Sequence, residues 1–314
     1  MDFALTEDQE LLRDTARGLL ANECPTTRLR AHIDDASAAD ALTDHLRAFA
    51  ALGSGSCGDL FVFAEELGYV AAPGPFFPTV ALAAPVLEAA GDERLGAVLD
   101  GEATATLALA GADGVWEPNT EPVKTFVAEA DRVDWIVVVD AGPTIRVVAP
   151  SEATLRPVST IDFSRRMFEV EAPGSGSPID PVALDAARER ATAALAAEMV
   201  GTARRLFDMS LAYAKERIQF DVPIGSFQAI QHRLADCSLA VERATAAAQY
   251  ASMALDADDA ERHRAVHVAK AAAGTAVTRA AKDGAQVHGG IGYTWEHDLH
   301  LFIRHAYGSE HWMG

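Results

Sequence analysis

Apolar residues along the first hundred positions recur at the spacing of amphipathic helices. Thr6 and Gln9 have the spacing of a capping box, and an apolar stripe follows them as far as Pro25, which predicts a first helix. Similar stripes continue until the prolines of the segment APGPFFPT interrupt them, and two short alanine-rich helices are predicted after that interruption. We therefore expect a helical domain over residues 1–102.

The pattern changes at about residue 103 from helical spacing to short β-branched runs. Two of these runs, residues 135–139 and 144–148, flank a turn of alanine, glycine and proline, which predicts a hairpin. A segment rich in glycine, serine and proline follows the last run and is typical of a linker. The sequence therefore predicts a small β-domain over residues 103–172 and a linker over residues 173–182.

Four long alanine-rich helices are predicted after the linker, separated by turns near residues 221–226, 256–260 and 288–294. Alanine is small, so such helices pack closely, and the pattern is typical of a bundle over residues 183–314. The expected fold is mainly α, with a small central β-domain between an N-terminal helical domain and a C-terminal four-helix bundle.

Charge and composition exclude several classes of function. The chain of 314 residues has a net charge of −20, which argues against binding nucleic acid or an anionic membrane surface. No apolar run is long enough to span a bilayer, and the N-terminus lacks the pattern of a signal peptide, so we expect a cytoplasmic protein. The three cysteines lack the spacing of metal ligands, and no metal site is predicted.

A break between two bundle helices carries the first candidate binding residues. Asp221 and Pro223 end one helix, because proline lacks the amide donor, and Ser226 is expected to cap the next helix. Arg217 and Phe220 therefore lie at a helix end, where side chains and free backbone groups meet a ligand. The guanidinium of Arg217 suits a pyrophosphate, and a solvated arginine at a helix C-terminus is the alternative interpretation.

The residues around this break and a second segment near the C-terminus resemble two signatures of the acyl-CoA dehydrogenase family. The second segment, QVHGGIGYTWEHDLHLFIRHA, contains a glutamine followed by paired glycines. In that family both signatures surround the ADP half of an FAD that is held largely by a neighbouring subunit. The resemblance implies an FAD site formed by Arg217, Gln219, Phe220, Ile224, Phe227, Gln228, Gln286, Gly289 and Gly290.

The chemistry of these residue types suits a nucleotide. A glycine pair allows positive φ and lets a phosphate approach the backbone, and the Gln286 amide can bond to ribose or pyrophosphate oxygens. Phe220 and Phe227 either pack against adenine or ribose or belong to the core. His288 is expected to pack or to cap a helix rather than to catalyse a reaction.

The catalytic base of the family is missing from its usual position in this sequence. The family's glutamate abstracts the α-proton of an acyl-CoA while flavin N5 takes the β-hydride, and the register places Met313 at that position. Some relatives carry the base on the first bundle helix, where the register places Ala191. The offset glutamates Glu189, Glu198 and Glu310 are retained only as alternatives, and Glu189 is expected to be an exposed helix charge.

The family's acidic loop, which binds the flavin ring and the acyl thioester, is also missing, so the resemblance implies a shortened β-domain without its own flavin-ring pocket. The chain resembles the shorter subunit of dehydrogenases made of two unlike chains, known in actinobacterial steroid and cholesterol degradation. This resemblance implies a heterotetramer in which a longer subunit supplies the base and shares its FAD. It also implies a bulky acyl-CoA substrate and an electron-transfer flavoprotein as electron acceptor. Two alternatives remain: a self-sufficient homo-oligomeric dehydrogenase that uses Glu198 or Glu310, and a flavin-free scaffold protein.

Overall fold

The computed structural model describes residues 3–313, and within this range the chain forms ten α-helices and nine strands. The helices are α1 (Glu7–Glu23), α2 (Thr26–Asp34), α3 (Asp40–Leu46), α4 (Cys57–Val70), α5 (Ala84–Ala90), α6 (Leu95–Leu99), α7 (Pro181–Glu216), α8 (Gln228–Asp256), α9 (Arg262–His288) and α10 (Leu299–His311). The strands are β1 (Ala105–Ala108), β2 (Val123–Ala128), β3 (Trp135–Asp140), β4 (Thr144–Val148), β5 (Thr154–Val158), β6 (Met167–Glu171), β7 (Ser177–Pro178), β8 (Ile218–Gln219) and β9 (Val222–Pro223).

The first helix begins at the predicted capping box, and a threonine joins the N-terminal helical region to the sheet. The Thr6 hydroxyl accepts a hydrogen bond from the Gln9 amide at 3.2 Å, and the Gln9 side chain accepts one from the Thr6 amide at 3.2 Å. This reciprocal pair confirms the capping box. A π-helical turn, Pro78–Ala83, precedes α5, and the Thr79 hydroxyl donates to the carbonyl of Ala105 on β1 at 2.9 Å.

The strands form two small sheets and one separate hairpin. One sheet has the order β1-β3-β4-β7, in which β1 is parallel to β3, and the other is antiparallel with the order β2-β6-β5. The predicted hairpin is confirmed, because β3 and β4 pair antiparallel with Asp140 opposite Thr144. The short strand β7 pairs with β4 although it lies within residues 173–182, the segment predicted as a linker. The division into domains stays a prediction.

Helices α7 to α10 form the C-terminal bundle, and α7 also packs against α4 of the N-terminal region. Two glycines permit that crossing: a Cβ atom on Gly68 would lie 1.8 Å from the carbonyl oxygen of Glu198, and one on Gly201 would lie 1.8 Å from that of Glu65. Side chains of the N-terminal helices and the bundle therefore share one hydrophobic core. Among the residues described, no helix combines the length and the hydropathy needed to cross a membrane.

Candidate functional site

A β-hairpin with a two-residue turn follows the C-terminus of α7. The sequence pattern does not predict this hairpin. Strand β8 pairs with β9, and Phe220 and Asp221 form the turn with φ values of 54° and 63°. Such values match the turns that short hairpins favour, but a bulky residue in the left-handed region costs about 1–3 kcal/mol. The Phe220 side chain is 87% exposed. The fold thus holds an aromatic ring at the surface in a strained conformation, which is typical of binding sites.

Arg217 ends α7 and keeps its guanidinium available. Its backbone N–H donates to the Tyr213 carbonyl at 2.8 Å, and its carbonyl accepts from the Ile224 N–H at 2.8 Å. The side chain is exposed, and it forms no hydrogen bond or ion pair with any residue from 3 to 313. The same is true of three glutamine side chains: Gln219, Gln228 and Gln286. Four polar groups are therefore free to bind a molecule outside the chain.

The glycine pair lies at the C-terminus of α9. Gly289 has φ 63° and ψ −142°, a conformation that only glycine adopts readily. A Cβ atom on Gly289 or Gly290 would meet no other atom within 4 Å. The backbone at this point is open, so a phosphate or another chain can approach it closely.

A small hydrophobic cluster joins the hairpin to the glycine pair. The rings of Tyr213 and His288 stack with centroids 4.3 Å apart. Leu234 and Val287 are buried in the same cluster, and Ile224 packs against it. The structure therefore brings both predicted segments to one end of the bundle. We call this region, residues 217–228 and 286–290, the hairpin edge.

His288 packs within the fold, as the sequence predicts. Its Nδ1 donates to the Gly284 carbonyl at 2.9 Å, because a carbonyl can only accept. Burial lowers the pKa of His288, which keeps the ring neutral near pH 7. The stacked ring thus supports the glycine pair from inside the bundle.

Ser226 does not cap α8, so that prediction is wrong. Its hydroxyl donates to the Pro223 carbonyl at 2.7 Å, since a short 3-10 turn, Ile224–Ser226, precedes the helix. Helix α8 begins at Gln228 without a side-chain cap. Phe227 is 38% exposed and its ring lies edge-on to Phe220 with centroids 6.1 Å apart, which places it at the surface rather than in the core.

Glu198, an alternative base, is buried in α7 with its carboxylate fully engaged. One guanidinium nitrogen of Arg165 donates to both carboxylate oxygens, at 2.6 and 2.7 Å. The two side chains are 1% and 7% exposed. The guanidinium also lies 4.3 Å from the ring centroid of Trp312. A carboxylate held in this way has no open face toward a substrate.

Asp162, Ser164 and His305 extend this buried network. The His305 Nδ1 lies 2.9 Å from the Asp162 carboxylate and 2.8 Å from the Ser164 hydroxyl, which donates to Asp162 at 2.6 Å. Burial alone would raise the pKa of Asp162, but His305 and Arg165 hold that pKa well below its ordinary value. All these side chains are buried, so the network links the loop before β6 to α10 and cannot act as a nucleophilic triad.

The two remaining glutamates line a wide groove along α9, with a volume of about 1320 Å³. Glu189 bonds to Arg262 at 3.3 Å and to His263 at 2.9 Å, and its side chain is only 14% exposed. The prediction of an exposed helix charge is therefore wrong, because Arg262 and His263 at the start of α9 pack beside it. Glu310 lies in the last turn of α10 with a side chain that is 31% exposed.

A lysine of α9 holds this last turn of α10. The Lys270 ammonium donates to the backbone carbonyl of Glu310 at 3.0 Å. Burial lowers the pKa of Lys270 to about 8. Because this hydrogen bond is made to the backbone carbonyl, it does not involve the Glu310 carboxylate.

The residues at the expected base positions are both buried. Met313 lies between the groove and a second cavity, and it lines both of them. Ala191 is 1% exposed within α7. Neither side chain can accept a proton.

Comparisons with known proteins cover the whole chain. Residues 183–314 match the family model described as acyl-CoA dehydrogenase, C-terminal domain. The chain is 31% identical to the acyl-CoA dehydrogenase IpdE2 of Mycobacterium tuberculosis, over 96% of this chain and 92% of that protein. It is similar to a chain of the ChsE4-ChsE5 complex from Mycobacterium tuberculosis, with 23% identity, a TM-score of 0.86 and coverage of 99% and 94% of the two chains. It is also similar to a variant of the Tcur3481-Tcur3483 steroid ACAD, with 25% identity, a TM-score of 0.86 and coverage of 96% and 92%.

Proposed function

The chain belongs to the acyl-CoA dehydrogenase family, and from that premise we propose that it is the base-free subunit of a heteromeric FAD-dependent dehydrogenase. In this proposal it completes the FAD site of a longer partner chain, and the complex oxidises a bulky acyl-CoA to its α,β-unsaturated form. The names of two similar structures support the proposal: each names a pair of proteins, and one describes a steroid enzyme.

The observation that carries the proposal is the set of polar groups at the hairpin edge that have no partner within residues 3–313. A guanidinium presents a fork of donors that matches a pyrophosphate, and glutamine amides match ribose hydroxyls. The exposed rings of Phe220 and Phe227 offer surfaces on which adenine can stack. The residues present therefore fit the ADP half of FAD, and the bare backbone at Gly289 and Gly290 leaves room for its phosphates.

The proton acceptor belongs to the partner chain in this proposal. Met313 occupies the expected position of the base, and Arg165 binds both oxygens of the Glu198 carboxylate. A glutamate of the longer chain would therefore take the α-proton of the acyl-CoA. When bound, FAD would supply the acceptor for the hydride that leaves the β-carbon, and the proposal includes an electron-transfer flavoprotein as the protein that would receive the electrons. The role of this chain is to bind and orient the nucleotide end of the cofactor.

Co-expression with a candidate longer chain tests the proposal. The purified complex should be yellow, and Arg217→Ala should weaken its FAD affinity about 10- to 150-fold, since a hydrogen bond to a charged group contributes about 1.5–3 kcal/mol. Arg243→Ala is the matched control, because Arg243 is an exposed arginine of α8 without a partner in the described chain. Equal FAD retention by both variants would show that Arg217 is not part of the FAD site.

A second candidate function is a self-sufficient dehydrogenase that uses Glu310. It is favoured by one observation, the partly exposed Glu310 carboxylate on the wall of the groove. In that case the chain expressed alone would be yellow and reduce a dye with acyl-CoA, and Glu310→Gln would abolish the activity. A flavin-free scaffold, by contrast, would hold no flavin even with the longer chain present.

A further inference from the structure

Two histidines lie one helical turn apart near the start of α9, at the opposite end of that helix from the glycine pair. His263 and His267 are both exposed, and their rings meet edge-on with centroids 4.6 Å apart. Positions four residues apart lie on the same face of a helix. Both imidazoles therefore face one region, the outer end of the groove along α9, and both line it.

Glu189 of α7 fixes the orientation and the tautomer of one of these rings. The His263 Nδ1 donates to the Glu189 carboxylate at 2.9 Å, because a carboxylate can only accept. In the neutral ring this bond leaves the lone pair of Nε2 free. Arg262 also bonds to Glu189, at 3.3 Å, which holds the carboxylate in place. A carboxylate behind one imidazole nitrogen is the usual arrangement of a histidine that binds a metal through the other nitrogen.

The other ring nitrogens of the pair are accessible and unbonded. Neither the His263 Nε2 nor either nitrogen of His267 forms a hydrogen bond or an ion pair with any residue from 3 to 313. The His263 side chain is 72% exposed, so an ion in solvent can reach it. Imidazole is a good ligand for zinc, nickel and copper ions, whereas magnesium and calcium prefer oxygen ligands. The chemistry of the pair therefore matches a transition-metal ion.

We propose that His263 and His267 together bind a divalent transition-metal ion such as Zn²⁺ or Ni²⁺, and that Glu189 positions His263 for this binding. Within residues 3–313 no group of three or more histidine, cysteine or acidic side chains could hold a metal ion. The ion therefore has two protein ligands, and water fills its remaining coordination positions. The sequence prediction of no metal site rests on the spacing of the cysteines, whereas these two ligands are histidines.

Calorimetric titration of the full chain, free of any polyhistidine tag, with ZnCl₂, NiCl₂ and MgCl₂ tests this proposal. The net charge of −20 attracts any divalent cation, so the Mg²⁺ titration measures the binding that does not depend on imidazole. We expect saturable binding of one Zn²⁺ or one Ni²⁺ per chain and much weaker binding of Mg²⁺.

Three variants show whether the histidine pair is responsible. His267→Ala removes one ligand at an exposed position and should abolish the saturable binding of Zn²⁺. Glu189→Ala should weaken it about 10- to 100-fold, the range for loss of a group that orients a ligand. His232→Ala is the matched control, because His232 is an exposed histidine of α8, and it should leave the affinity unchanged.

The proposal is overturned if neither Zn²⁺ nor Ni²⁺ binds, or if Mg²⁺ binds as tightly as they do. It is also overturned by unchanged Zn²⁺ affinity in His267→Ala or in Glu189→Ala, or by equal losses in His267→Ala and His232→Ala. Neither flavin nor the longer chain is needed, so a negative result would leave the role of the hairpin edge untouched.

Discussion

Replacement of Glu198 by glutamine distinguishes a structural carboxylate from a catalytic base. Glutamine has nearly the same shape, but it removes the charge that faces the Arg165 guanidinium at 2.6 Å. The buried cation is then left with Asp162, whose carboxylate lies 4.0 Å away. The variant therefore tests the ion pair with little change in packing.

The magnitude follows from the burial of both partners, which are 7% and 1% exposed. Removal of one partner from a buried ion pair costs about 3–5 kcal/mol, because the remaining charge stays desolvated. The nearby Asp162 carboxylate compensates part of this cost, so we expect a loss of about 3 kcal/mol in the free energy of unfolding. Glu198→Gln combined with Arg165→Met leaves no unpaired guanidinium and should recover part of that loss.

Two measurements on the complex co-purified with the longer chain decide whether Glu198 is a structural carboxylate or a catalytic base. Urea unfolding of the chain gives the free energy change, and turnover per bound flavin gives the catalytic effect. We expect reduced stability with turnover unchanged. If stability were retained while turnover fell by about 10²–10⁴, the range for loss of a general base, Glu198 would be the base and the structural interpretation would be refuted.

Three further variants test the fold. Burial raises the pKa of Glu129 from 4.5 to about 7. Between these two pH values the folded state keeps the carboxyl proton, whereas the unfolded state loses it. The free energy of unfolding therefore falls by about 3 kcal/mol as the pH rises from 4.5 to about 7. Glu129→Gln should remove this fall, and parallel urea-unfolding profiles of variant and parent from about pH 5 to about pH 8 would contradict it. Gly201→Ala should destabilise the chain by about 1–3 kcal/mol or more, since its Cβ would lie 1.8 Å from the Glu65 carbonyl oxygen. Gly18→Ala in α1, where a Cβ meets no atom within 4 Å, should instead stabilise the chain by about 0.5–1 kcal/mol; equal thermal unfolding of the two variants would disprove the close helix crossing.

Local patterns predicted the elements whose determinants lie close together in sequence. The capping box needs only Thr6 and Gln9, and the β3–β4 hairpin needs only two β-branched runs around a short turn. The hairpin at Phe220 and Asp221 lacks the Asn-Gly type of signal that usually marks such turns. The sequence pattern also places nearby Ser226 at the start of α8, but a 3-10 turn uses the serine hydroxyl before the helix starts.

The buried network around Glu198 could not be predicted from local patterns. Arg165 and Glu198 are 33 positions apart, and Asp162 and His305 are 143 positions apart. Only the packing of α7, α10 and the loop before β6 brings them together. Packing between helices also explains Glu189, which a helical pattern alone places at the surface and which Arg262 and His263 of α9 cover. The candidate binding residues, in contrast, follow from the resemblance to the family's two signatures, and they lie at one end of the bundle.

The number of flavins per polypeptide tests most directly whether this chain binds the edge of a cofactor that another chain holds. The chain purified alone should be colourless, and its complex with the longer chain should contain one FAD for each pair of unlike chains. A lone chain that retained one FAD per polypeptide and oxidised acyl-CoA would contradict this account.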